Sequence, residues 1–172
     1  MKRFASATAI AGLVVAGAVV TAPSAAADDR YCRSGTIGKV TIDGDLKVPS
    51  GTCYLKGTRV KGNVIVSSTG YVGIEGARID GNVQSYKHRG VAVRSSYVDG
   101  NIQLKSGGGL VVRNTTVNGD IQLFSNPRGN KYVDDNRVDG NLQCTSNVPA
   151  PQGSPQHRPG QQGRPVPPLL TG

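Results

Sequence analysis

Ile79-Asp80-Gly81-Asn82-Val83 strings together an aliphatic residue, one polar residue, glycine, an Asx residue and a second aliphatic. The phrase recurs as Ile42-Asp-Gly-Asp-Leu46, Val60-Lys-Gly-Asn-Val64, Val98-Asp-Gly-Asn-Ile102, Val117-Asn-Gly-Asp-Ile121 and Val138-Asp-Gly-Asn-Leu142. Its glycines, Gly44, Gly62, Gly81, Gly100, Gly119 and Gly140, are spaced by 18, 19, 19, 19 and 21 residues. A fixed period in this range marks a solenoid, in which each repeat is one coil that buries its apolar face only against its neighbours.

Phasing the chain on these glycines separates inside from outside. Two and four residues after each glycine come Leu46/Val48, Val64/Val66, Val83/Ser85, Ile102/Leu104, Ile121/Leu123 and Leu142/Cys144. Residues two apart share one face of a strand, so these point inward and the intervening Lys47, Ile65, Gln84, Gln103, Gln122 and Gln143 point outward. Nine and seven residues before the next glycine lie Cys53/Leu55, Val72/Ile74, Val91/Val93, Leu110/Val112 and Lys131/Val133. Four and two before it lie Thr58/Val60, Ala77/Ile79, Ser96/Val98, Thr115/Val117 and Asn136/Val138. Each coil therefore carries three short strands, and length variation collects at one corner, between the first strand and the second. The expected fold is all-β: a three-sided parallel β-helix of about six coils of 18–21 residues. A β-sandwich with evenly spaced turns is the competing architecture, but it has no reason to repeat one residue type at one phase. The Gly-Asx pair reads as a corner that tolerates left-handed turns and lets Asn63, Asn82, Asn101 and Asn141 stack, with Asp45 and Asp120 as variants.

The two ends differ from this domain, read as residues 28–148. Lys2 and Arg3, the apolar run Ala5 to Ala22 and the small residues Ala25-Ala-Ala27 form the layout of a secretory signal peptide over 1–27. The expected site is secreted and extracellular, with no membrane anchor left after cleavage. Residues 149–172 are rich in Pro, Gln and Gly and hold too few apolar groups to offset ordering entropy, so a disordered spacer is expected.

The 172 residues carry a formal charge of +9, which becomes +7 once Lys2 and Arg3 leave with the signal segment. Export removes nucleic acid from the expected partners and leaves anionic cell-wall polymer or polysaccharide, or a second copy of the chain. The cations form columns. Arg59, Arg78 and Arg137 share the phase three residues before the glycine, with Tyr97 and Thr116. Arg94 and Arg113 share the phase six before it, with Lys56, Glu75 and Asp134, while the variable corner adds Lys87, Arg89, Lys105 and Arg128. Arg59, Arg78, Arg94, Arg113 and Arg137 are the candidate ligand-binding residues; a solvated face that keeps a stacked β-protein soluble is the competing account.

No catalytic residue, metal ligand or cofactor is expected. Asp43, Asp80, Asp99 and Asp139 stack at one phase, as a calcium column would, but Lys61 interrupts them and the Gly-Gly-x-Gly-x-Asp signature is absent. Glu75 is the sole glutamate, and His88, within Lys87-His-Arg89, reads as part of a solvated loop. Cys32 and Cys53, 21 residues or about one coil apart, are expected to form a disulfide at the N-terminal end. Cys144 lies about five coils further on, roughly 20 Å away, too far to join them.

The repeated phrase resembles that of bactofilins, and the resemblance implies a right-handed β-helix able to polymerise end to end. Gly35-Thr-Ile-Gly38, Val48-Pro-Ser-Gly51, Cys53-Tyr-Leu-Lys-Gly57 and Gly140-Asn-Leu-Gln-Cys144 together are more similar to a family of secreted actinobacterial β-solenoid proteins with no assigned activity. That likeness spans about Cys32 to Cys144. It implies that the equivalent of Cys144 pairs with a second Gln-Cys near the end, where this chain has its Pro-rich segment instead. The expected function is a non-enzymatic structural or adhesive module of the cell envelope that can assemble end to end, with a binding module for anionic cell-wall polymer or polysaccharide as the alternative and a polysaccharide-active enzyme as the second alternative.

Overall fold

The structure, a computed structural model, describes residues 28–153. The segment read as a signal peptide, and residues 154–172 of the segment read as a spacer, lie outside the described residues. Three parallel sheets wrap one narrow core. Face one stacks β1 (Arg30–Tyr31), β4 (Leu46–Val48), β7 (Val64–Ser67), β10 (Val83–Tyr86), β13 (Ile102–Lys105), β16 (Ile121–Phe124) and β19 (Leu142–Thr145). Face two stacks β2 (Ser34–Ile37), β5 (Thr52–Lys56), β8 (Tyr71–Glu75), β11 (Gly90–Arg94), β14 (Gly109–Arg113) and β17 (Lys131–Asp134). Face three stacks the two-residue strands β3 (Thr41–Ile42), β6 (Arg59–Val60), β9 (Arg78–Ile79), β12 (Tyr97–Val98), β15 (Thr116–Val117) and β18 (Arg137–Val138). This is a three-sided parallel β-helix.

The register joins like to like: Val83 lies against Val64 and Ile102, Val91 against Val72 and Leu110, and Val98 against Ile79 and Val117. The inward residues of the middle coils are fully buried. Each buried aliphatic side chain contributes about 1.5–3 kcal/mol, which lets a core without aromatic residues hold the stack. The last inward pair, Leu142 and Cys144, is only half-buried, because among the described residues no further coil stacks on it.

Two corners use left-handed backbone. Ser68, Lys87, Ser106, Ser125 and Ser146 have φ of 46° to 59° between faces one and two; Ser95, Asn114 and Asp135, with Gly57 and Gly76, do the same between faces two and three. The Gly-Asx corner does not, contrary to expectation, since none of its six glycines has positive φ. Glycine is needed there for close approach. A Cβ on Gly81 would lie 2.6 Å from the Gly62 carbonyl oxygen and 2.8 Å from Asn63 Oδ1.

The Asx side chains above those glycines form an axial ladder. Asn63 Oδ1 accepts from the backbone N–H and Nδ2 of Asn82 at 2.9 and 3.0 Å, and Asn82 Oδ1 does the same for Asn101 at 2.8 and 3.2 Å. Asp45 stands one rung before Asn63, and Asn101 and Asp120 accept from the next N–H at 2.7 Å. The ladder starts one coil earlier than the repeated phrase, because Asp29 Oδ1 accepts the Asp45 N–H at 3.1 Å.

The Cys32–Cys53 disulfide is present, with Cα atoms 6.0 Å apart, and closes the N-terminal coil. At the other end the chain stays in register past residue 148. Gln152 donates its N–H to the Lys131 carbonyl and accepts from Val133 N–H, each at 2.8 Å, so it covers the outer edge of β17. Lys131, at an inward position, is buried. Its Nζ donates to the carbonyls of Arg128, Gly129 and Val148 at 3.1, 2.7 and 2.9 Å.

Candidate anion-binding surface

The five arginines stand outward at the strand phases that place them there, but on two different faces. On face three Arg59 donates through Nε and Nη2 to Asp80 Oδ2 at 3.0 and 2.8 Å, and Arg78 donates through Nε to Asp80 Oδ1 at 2.7 Å. Burial raises the Asp80 pKa, and the hydrogen bonds from Arg59 and Arg78 outweigh it, holding the carboxyl below its usual range. The Arg78 guanidinium also sits 4.4 Å from the centre of the Tyr97 ring. Arg137 continues this column against Thr116 without an ion pair among the described residues. On face two Arg94 lies between Glu75 and Arg113 in register. Arg113 donates to both oxygens of Asp134, at 2.7 and 2.9 Å. Three of the five cations are thus compensated by carboxylates, Arg78 by one in its own coil and Arg59 and Arg113 by one in the next. Two more of the stacked Asp residues are engaged: Asp43 pairs with Lys61 at 2.6 Å, and Asp99 accepts from the neutral Tyr97 hydroxyl and Asn118 amide at 3.0 and 2.7 Å.

The uncompensated charge collects at the corner between faces one and two. Lys87, Arg89, Lys105 and Arg128 project there, and none of the corner segments from residue 67 to residue 130 contains an Asp or Glu. Left-handed turns at Ser68, Lys87, Ser106 and Ser125 put the same geometry in each coil, and the residues after Lys87, Ser106 and Ser125 turn inward while Lys87, Arg89, Lys105 and Arg128 stay exposed. Lys87 Nζ lies 5.1 Å from the Tyr86 ring centre; Arg89 lies 5.7 Å from that of Tyr71 and donates to the Gly51 carbonyl at 3.1 Å. A cleft of about 370 Å³ opens between these coils, with Lys87, Arg89 and Arg128 on its rim, the Ser68–Thr69 segment on one wall and Gly108, Gly109 and Gly129 as its floor. The floor is bare because the coils touch: a Cβ on Gly108 would lie 2.2 Å from the Arg89 carbonyl oxygen. Cations, hydroxyl-bearing residues and exposed backbone around a shallow cleft suit phosphate, sulfate or carboxylate groups.

His88 departs from the expectation of a solvated loop: it is 1% exposed. The left-handed turn at Lys87 sends Lys87 and Arg89 outward and the imidazole between them inward, over Gly107. Its Nδ1 is 2.7 Å from Ser85 Oγ, while Nε2 has no hydrogen-bond partner. Burial, reinforced by the charge of Lys131, pushes its pKa down to about 4. The Ser85–His88 pair sits inside the wall of the solenoid, with no carboxylate behind the ring, and acts as packing. The Cys144 thiol is free and pushed up to about 11 by burial. Phase alone marks the corner cations and the strand columns alike; it does not show that Arg59 and Arg113 pair with Asp80 and Asp134 of the next coil.

Comparison with protein-family models, with curated proteins and with solved structures found no match to this chain.

Proposed function

We propose that this chain is an exported, non-enzymatic β-solenoid, a structural and adhesive module of the bacterial cell envelope that holds an anionic polymer along the corner between faces one and two. The observation that carries the reading is the corner itself: four cations over three successive coils with no carboxylate in those corner segments. The Cys32–Cys53 disulfide fits an oxidising, extracellular setting. One exposed ion pair contributes little, about 1 kcal/mol or less. A polymer that meets Lys87, Lys105 and Arg128 together gains by multivalency, since each contact raises the effective concentration for the next. The rigid stack supplies the spacing, about 4.8 Å per coil. Asp80 and Asp134 are engaged by Arg59, Arg78 and Arg113, which favours holding a ligand over acid–base chemistry.

Retention of residues 28–172 on an immobilised polyanion tests this. Binding at low salt, released by salt and lost in Lys87→Glu with Arg128→Glu, is expected. Retention unaffected by that double reversal would overturn the corner as the site.

End-to-end assembly is a second reading, favoured by the half-buried Leu142 and Cys144 at the open end of the core. The Gln152 contact stands in its way on face two.

A further inference from the structure

Next to the basic corner, the outer surface of face one carries a second concavity of about 390 Å³. Two columns line it. The outward strand positions supply Gln84, Gln103 and Gln122, and the strand ends supply Tyr86, Lys105 and Phe124. Tyr86 is 54% exposed, more than a packed tyrosine needs to be. Phe124 stands two coils away, roughly 10 Å along the axis. Between the two aromatic residues, in register with both, stands Lys105.

The amide column runs parallel to the axis. Gln103 Nε2 donates to Gln122 Oε1 at 3.1 Å, and Gln122 Nε2 donates to Gln143 Oε1 at 3.4 Å. Gln84, at the Tyr86 end, makes no side-chain hydrogen bond among the described residues, so its amide is free for a ligand. No carboxylate lines the concavity. An aromatic face beside amides in line suits sugar rings, whose C–H faces stack on aromatic rings while their hydroxyls bond to amides.

We propose that this groove seats the rings of an acidic polysaccharide whose charged groups lie on Lys87, Lys105 and Arg128. The inference rests on the corner as the anion site and adds what lies between the charges. Continuity supports it: Tyr86 lines the groove and is followed in the chain by Lys87, which lines the corner cleft, while Lys105 in the groove ends the strand that leads into the same corner of the next coil. The charge suits the ligand: among the described residues, those that line the groove and the corner cleft include cations and no carboxylate, and the neighbouring Asp120 accepts from Gln122 Nε2 at 3.4 Å. A polyanion without rings meets the corner alone, and a neutral glycan meets the groove alone. An acidic polysaccharide meets both.

Three probes separate these cases: polygalacturonate, polyphosphate at equal charge concentration, and a neutral β-glucan, each titrated at low salt into residues 28–172. Polygalacturonate is expected to bind about tenfold tighter than polyphosphate, the order of one aromatic contact. Tyr86→Ala should remove that advantage while leaving polyphosphate binding and the melting temperature unchanged, because Tyr86 is exposed. Lys87→Glu with Arg128→Glu should weaken both polyanions. A tenfold advantage of polygalacturonate over polyphosphate that persists in Tyr86→Ala, with both polyanions weakened by the charge reversal, overturns the groove and leaves the corner standing. Tight binding of the neutral glucan, equal to polygalacturonate, overturns it too. Failure of both polyanions to bind the unaltered chain defeats the corner reading itself.

Discussion

The imidazole of His88 occupies the space over Gly107: a Cβ on that glycine would lie 2.1 Å from ring Nδ1. The two residues share one phase of successive coils, where Asn126 and Asn147 follow. Gly107→Ala is therefore expected to destabilise the fold by about 1–3 kcal/mol through overpacking. Combining it with His88→Asn should recover most of that loss, because an Asn in this column leaves room above it. Urea denaturation of the two single variants and the double variant measures the coupling.

Acid should act on the same residue. The His88 pKa is near 6.5 in the unfolded chain and about 4 in the folded one. The unfolded state binds the proton first, so the stability tied to the neutral ring is complete above pH 6.5 and is lost as pH falls to about 4. The shift corresponds to about 3 kcal/mol. In His88→Asn that part of the pH dependence should vanish. An Asn there has a ready model in Asn126, whose Nδ2 donates to the Leu104 carbonyl at 2.9 Å and whose Oδ1 accepts the Gly107 N–H at 2.8 Å. Melting temperatures of both proteins between pH 4 and pH 7 would reveal the difference; parallel curves would show that His88 is not buried neutral.

Much of this was open to phasing and some was not. The inward pairs, the three faces and the Cys32–Cys53 bridge follow from period and spacing, because a solenoid repeats each local choice once per coil. The charged neighbours Lys87 and Arg89 make His88 read as a solvated loop residue, and only the left-handed φ of Lys87 turns the ring inward. Asp29 and Gln152 lie outside the repeated phrase, yet each continues the stack through backbone pairing. The corner glycines were read for their φ freedom when contact between coils is what requires them. The candidate site was half legible: the columns were visible, and their neutralisation by Asp80 and Asp134 was not.

The ladder of amides makes a graded prediction. Asn82→Ala would leave the Asn101 N–H without an acceptor, at a cost of about 1–3 kcal/mol. Asn82→Asp keeps that acceptor, as Asp45 and Asp120 do in their coils, and should cost less. Chemical denaturation of the two variants orders them.

Thiol chemistry separates the cysteines. Unfolded without reductant, the chain should show one reactive thiol, Cys144, and after reduction three. Reduction should lower stability by about 3 kcal/mol, the loop-entropy value for a closure of this length. In the native state Cys144 should alkylate slowly at pH 8, since its pKa is pushed up to about 11.

The far end predicts an assembly switch. Truncation after Asn147 removes Gln152 from the edge of β17 and exposes unpaired backbone there. Light scattering should then show growth with concentration, and a truncated chain that stays monomeric would count against end-to-end stacking.

The most direct test of the corner as the anion site is a polyanion titration across a salt series with two double reversals. Lys87→Glu with Arg128→Glu alters the corner; Arg59→Glu with Arg78→Glu makes the same change in charge on face three. The account predicts that the first abolishes binding and flattens its salt dependence, while the second, whose arginines already share Asp80, leaves both nearly intact. Equal loss from the two reversals would contradict it, because binding would then follow net charge and not the corner.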